Sequence, residues 1–140
     1  MWPIVLLAAV ALWPRSRRQP ESDGVTTERL DAVERSGVVE LTFAKGHFLA
    51  PAAAAAAELA VSQSSVPRVT SSLRTREEQE VLFQRYIQGR GPLAAKPGTS
   101  FHERGLALDA RGTAQWETAM IRNGFRRTVT SEPWHWEFRP

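Results

Sequence analysis

The chain has 140 residues, 42% of them apolar and 24% charged, with five Trp and no Cys. That size and composition suit one small domain with a modest core, and the lack of thiols excludes disulfides, thiolate metal sites and a cysteine nucleophile. Eighteen Lys and Arg against 15 Asp and Glu give a net charge of +3; the basic residues are dispersed, which suits a solvated surface or a mild attraction to an anionic polymer, and no nucleic-acid motif accompanies them.

Residues 2–13 form the one long apolar run. It is short for a membrane span, which needs about 20 residues. It resembles the apolar part of a secretory signal, yet no positive residue precedes it and no small-x-small site follows. Arg15, Arg17 and Arg18 come directly after it and hold that flank on the cytoplasmic side. Residues 1–18 are therefore read as a membrane-targeting or anchoring segment, residues 19–35 as a polar linker broken by Pro20 and Gly24, and residues 36–140 as the globular domain.

Within that domain, Val38 to Phe43 reads as a short strand, and Ala50 to Val61, Ala-rich with Pro51 in its first turn, as a helix. Arg68 to Ser72 reads as a strand. Thr75 and Glu78 form a capping box at the start of a helix with an apolar face of Leu82, Phe83, Tyr86 and Ile87, stopped at Gly89. A Gly/Pro-rich loop runs from Gly89 to Ser100. Gly105 to Ala110 alternates, with Leu106 and Leu108 on one face and Ala107 and Asp109 on the other, as a half-buried strand does. Thr113 to Asn123 is a helix with Trp116, Ala119 and Met120 inward. Phe125 to Val129 and Trp134 to Phe138 read as a closing hairpin, with Trp134, Trp136 and Phe138 on one face and His135 and Glu137 on the other. The sum is an α+β domain: a small antiparallel sheet with helices packed on it.

The chemistry concentrates in Ser100 to Asp109 and Glu132 to His135. Of the three histidines, His47 has no carboxylate pattern around it and is read as structural. His102 lies seven residues before Asp109, which shares a strand face with Gly105 and Ala107, residues small enough to leave room for a metal and a substrate. His135 projects opposite a Trp/Phe face. Two His and one Asp make a three-ligand zinc set with an open fourth position, and Glu132 stands where it could take a proton from a water held there. Glu103 and Glu137 compete for that base role on proximity, the first read as a solvated loop charge and the second as a carboxylate outside the ligand set or exposed to solvent. Trp134 is a wall beside His135, as apt for core packing as for substrate contact.

Ser100-x-His102-x-x-Gly105-x-Ala107-x-Asp109, followed by Glu132-x-Trp134-His135, resembles the signature of the zinc D-alanyl-D-alanine carboxypeptidases, within the wider group of lysostaphin-type and hedgehog-type folds. Ser71 to Gln79 is similar to that family's Ser-x-x-Arg-[Ser/Thr]-x-x-Glu-Gln segment, and Tyr86 to Gly98 resembles the loop before its first His. The resemblance spans roughly residues 36–140. It implies one Zn2+ held by His102, Asp109 and His135, with Glu132 as catalytic acid and base. It also implies that Arg74 stabilises charge developing on the scissile carbonyl, and that Ser100 and Gln79 lie near the substrate's terminal D-residue. The implied substrate is a peptidoglycan stem peptide or its precursor, and the favoured reaction is removal of terminal D-Ala. An L-alanyl-D-glutamate endopeptidase of the phage-lysin kind, a D-Ala-D-Ala dipeptidase, and a non-catalytic zinc-containing wall-binding module are the alternatives. A monomer at the cell envelope is expected, anchored through residues 1–18, or cytoplasmic until lysis if the gene is viral.

Overall fold

A computed structural model describes residues 37–140; the apolar segment at 1–18 and the linker at 19–35 lie outside the described residues. The elements, in chain order, are strands β1 (Val39–Leu41) and β2 (Ala44–Leu49), helix α1 (Pro51–Ser62), strand β3 (Arg68–Ser71), helix α2 (Arg76–Ile87), strand β4 (Ala107–Arg111), helix α3 (Ala114–Arg122) and strands β5 (Phe125–Arg126) and β6 (His135–Phe138). β1 and β2 pair as a hairpin, and the other four strands form an antiparallel sheet in the order β3-β4-β6-β5. The expected α+β class holds.

Alternation along β4 and β6 divides the sheet into two functional faces. Leu108 pairs with Trp136, and both are fully buried in a core with Trp116, Phe125, Met120, Leu41 and Leu49. The indoles of Trp116 and Trp136 meet edge to face, 5.4 Å between centroids. α1 adds Ala53, Ala54, Ala57 and Ala60 to that core, one face of small side chains that lets the helix approach closely. The opposite sheet face carries the cross-strand pairs Ala107–Glu137 and Asp109–His135.

α2 starts as its sequence requires. The Thr75 hydroxyl accepts from the Glu78 amide, while the Glu78 carboxylate accepts from the Thr75 amide. Its interior differs from expectation. The face of Leu82, Phe83, Tyr86 and Ile87 is not a core face: Tyr86 and Ile87 are exposed, and the single buried residue of the helix is Gln79. Gln79 and Leu82 of α2 line the cavity that Asp109 and His135 also line, so its inward position meets the site rather than the core.

Three further corrections follow. The strand expected at Val38 to Phe43 is a hairpin, because Thr42 and Phe43 turn the chain back into β2 and bring His47 and Phe48 beside Ser72. The strand expected at Phe125 to Val129 ends at Arg126, and the chain from there to Trp134 forms one side of the site. Trp134 consequently leaves the face it was expected to share with Trp136 and Phe138. The Glu132–His135 turn, closed by the His135 amide donating to the Glu132 carbonyl at 3.0 Å, directs the chain before β6 begins.

Gly105 is the tightest joint. Its φ of +66° favours glycine, and an added Cβ there would stand 2.7 Å from the Ala50 amide nitrogen. The Ala50 amide donates to the Gly105 carbonyl at 2.9 Å, and the Gly105 amide to the His102 carbonyl at 3.1 Å. The turn carrying His102 is thereby stitched to the β2–α1 junction.

Candidate metal centre

His102, Asp109 and His135 converge although they come from a turn and two neighbouring strands. Asp109 and His135 face each other across β4 and β6 because they are register partners. His102 reaches them from the turn anchored at Gly105. Asp109 Oδ1 lies 2.9 Å from His135 Nδ1 and 3.3 Å from His102 Nε2, and the two ring nitrogens are 3.3 Å apart. Donors about 2.0–2.1 Å from a tetrahedral zinc stand about 3.3 Å from one another. The triangle fits a metal of that size.

The other ring nitrogens explain why the lone pairs point inward. His102 Nδ1 is 2.6 Å from the Ser72 carbonyl oxygen, and His135 Nε2 is 3.2 Å from Glu137 Oε1. A carbonyl and a carboxylate only accept, so both nitrogens carry hydrogen there. Neutral imidazoles then turn bare nitrogens toward each other and toward Asp109 Oδ1. Three electron-rich atoms at this spacing repel unless a cation, a proton or a metal ion, sits among them. Histidine ligands characteristically donate their remote N–H in this way, which fixes ring orientation.

The ionisation of the cluster agrees. Burial pushes the Asp109 carboxyl up, but hydrogen bonds with His102 and His135 and the nearby charges of His102 and Arg74 outweigh it and hold the group well below the usual carboxylate range. Burial pushes His135 down, but hydrogen bonds to Asp109 and Glu137 prevail and raise it. Glu137 is lowered: burial opposes ionisation, and hydrogen bonds from His135, Arg139 and Thr128 overcome it.

The triangle forms part of the wall of a cavity of about 450 Å³, shared by Arg74, Gln79, Ser100, Glu132 and Trp134. Arg74 is not paired with a surface carboxylate. Its Nη2 donates to Asp109 Oδ2 at 2.9 Å, and its Nε to Ser71 Oγ at 3.1 Å. Asp109 thus offers one oxygen to the triangle and the other to a guanidinium. Gln79 does not face solvent: it is buried, and its amide donates to the Ala95 carbonyl at 2.8 Å, tying α2 to the loop that roofs the cavity. Ser100 is buried and accepts from the His102 amide at 3.2 Å. Trp134 is half-buried in the cavity wall, with the Arg111 guanidinium 4.9 Å from its ring centre, and it lies outside the core. Glu132 lines the cavity, and its carboxylate makes no hydrogen bond or ion pair among the described residues. Leu82, Pro92, Leu93 and Ala94 supply an apolar wall.

The two rival carboxylates have other work. Glu103 is not merely solvated: both its oxygens accept from the Gly98 amide at 2.9 Å, and one accepts from the Ser100 amide, which folds the loop before His102. Glu137 is buried against His135. Sequence reasoning missed Ser72, which is fully buried: its carbonyl orients His102 while its hydroxyl accepts from the Phe48 amide. A backbone carbonyl leaves no mark in residue type. Arg139 was also missed, although its place two residues beyond Glu137 on the same strand extension was a usable signal.

No protein-family model and no curated protein matches the sequence. Solved structures do. A vancomycin-resistance D,D-pentapeptidase, VanY from a VanB-type resistance cassette, in complex with Zn(II), superposes with a TM-score of 0.54 at 23% identity, covering 74% of this chain and 78% of that one. VanYB in complex with D-alanine-D-alanine gives a TM-score of 0.54 at 23% identity, over 74% and 77% of the two chains. The LdcB LD-carboxypeptidase gives 0.52 at 23% identity, over 71% of this chain and 64% of that one. The chain shares the fold of these peptidases.

Proposed function

We propose that this chain is a zinc metallopeptidase that hydrolyses peptidoglycan stem peptides, with removal of a terminal D-Ala as its reaction. The observation that carries the reading is the inward-facing triangle of His102 Nε2, His135 Nδ1 and Asp109 Oδ1, set in a cavity wall beside Glu132, whose carboxylate has no partner among the described residues. The fold shared with a Zn(II)-bound D,D-pentapeptidase, and with VanYB holding D-alanine-D-alanine, supports the substrate class.

His102, Asp109 and His135 would hold the metal. When bound there, zinc supplies Lewis-acid polarisation of the scissile carbonyl and lowers the pKa of a water. Glu132, which has no competing partner among the described residues, accepts the water's proton and passes it to the leaving amine. Arg74 directs a cation at the same cavity and holds Asp109 in place; its charge opposes that of the developing oxyanion. Gln79 and Ser100 set the loop and the His102 turn, and Trp134 with the apolar wall borders the space in which the substrate would lie. Residues 36–140 make up the peptidase domain, and a peptidoglycan substrate places it at the cell envelope. No described helix is long and apolar enough to cross a membrane; residues 1–18 supply the anchor in this reading.

The test is mass spectrometry of products released from stem pentapeptide by the zinc-loaded full chain. Free D-Ala from the pentapeptide supports the reading. Release of D-Ala only from a tetrapeptide stem would assign the LD-carboxypeptidase activity of the LdcB neighbour. A larger fragment would make the chain an endopeptidase, and zinc-dependent wall binding without any product would make it a silent module.

A further inference from the structure

Arg139 lies outside the cavity wall, yet it touches the supports of both histidines. Its Nε and Nη2 each reach Glu137 Oε2 at 2.8 Å, while Glu137 Oε1 meets His135 Nε2 at 3.2 Å. The same guanidinium lies over the Phe101 ring, 4.5 Å from its centre, and Phe101 immediately precedes His102. Its backbone is fixed as well, because the Arg139 amide donates to the Gly124 carbonyl at 2.8 Å. Arg104 covers Phe101 too, at 4.1 Å, and among the described residues it makes no bond to Glu137.

We infer that Arg139 is a positioning residue for the metal centre, holding Glu137 against His135 and Phe101 against the His102 turn through one guanidinium. This deepens the proposed function and rests on it only for the identity of the metal. Geometry makes the case. Glu137 has two oxygens and two jobs, and pinning Oε2 leaves Oε1 one rotamer in which to receive the His135 N–H. A planar fork suits both tasks at once, two parallel donors in its plane and a flat face for an aromatic ring. A lysine can make one bond to Oε2 but has no face to lay on Phe101.

The experiment measures zinc affinity of the full chain by competition with a chromophoric chelator, and the visible absorption of the Co(II)-loaded chain. Loss of an outer partner of a ligand, the place Glu137 holds against His135, weakens metal binding about 10–100-fold, and Arg139 acts on that partner. Because the Arg139 side chain is 52% exposed, Arg139→Gln is expected at the low end, about tenfold weaker, with an altered Co(II) spectrum. Arg139→Lys should fall between that variant and the parent, and its milder change guards against misfolding. Arg104→Gln, which leaves the Glu137 contact intact, should weaken zinc binding less than Arg139→Gln does. An unchanged affinity and Co(II) spectrum in Arg139→Gln overturns the inference, as does equal weakening in Arg104→Gln. If the parent itself fails to bind zinc, the proposed function falls as well; a parent that binds normally beside an inert Arg139→Gln removes the inference alone.

Discussion

Gly105→Ala tests whether the joint behind His102 is as tight as the structure shows. Two costs combine. A residue with a Cβ in the left-handed region loses about 1–2 kcal/mol. The new methyl would also lie 2.7 Å from the Ala50 nitrogen and 3.3 Å from the Leu49 carbonyl carbon. Both are backbone atoms, so no rotamer change relieves the contact, and a forced backbone shift costs about 1–3 kcal/mol. Gly89→Ala isolates the first cost, because Gly89 has a φ of +66° with nothing within 4 Å of an added Cβ. For a domain of this size each kcal/mol lowers Tm by about 4–8 °C. Thermal melts of the zinc-free chains should therefore place Gly105→Ala at least about 4–8 °C below Gly89→Ala. Zinc affinity should fall in Gly105→Ala and stay unchanged in Gly89→Ala, since the Gly105 amide also holds the His102 carbonyl. Equal melting of the two variants would refute the close approach, and with it this account of how His102 is placed.

Glu132→Gln should retain zinc and lose about 10²–10⁴-fold in turnover, read by chelator competition and by D-Ala release; persistent turnover would show that the proton is carried elsewhere. Trp134→Ala should change substrate KM with little effect on Tm, because the ring lines the cavity, whereas Trp136→Ala should cost about 3–5 kcal/mol from the fully buried core. The zinc-free chain should lose stability as pH rises: the His135 pKa is raised in the folded state, so its contribution is whole below the ordinary histidine value of about 6.5 and fades as pH climbs through the higher folded value. Zinc affinity should strengthen over the same window, since the ion must replace that proton. Melts with chelator and with zinc, from about pH 6 to about pH 8, compare the two trends, and parallel curves would contradict the shared site.

The meeting of Asp109 and His135 on one sheet face was legible because it depends on signals local in sequence. Alternation in Gly105 to Ala110 and in His135 to Phe138 places Asp109 and His135 away from the Leu108–Trp136 core, and the strands pair in the register that brings them together. The Thr75–Glu78 box is likewise complete in a single turn. What stayed hidden depends on partners distant in the chain. The apolar positions of α2 suggested a core face, but that helix borders the cavity and buries Gln79 instead. The β1–β2 hairpin turns at Thr42 and Phe43 without the Asn-Gly or Asp-Gly pair that marks such turns. The Ser72 carbonyl acts through an atom every residue possesses, and Glu103 looked solvated until the loop amides it receives were brought to it by folding.

The pairing of Asp109 with His135 has a consequence for assembly. If β6 slid by one residue along β4, an indole would enter the site and an imidazole would enter the oily interior, because neighbours on a strand point to opposite sides. Chelation is then possible only for a chain whose two central strands have met correctly. An ion captured there would reward that alignment and no other, so metal binding would also certify that the sheet has been put together properly.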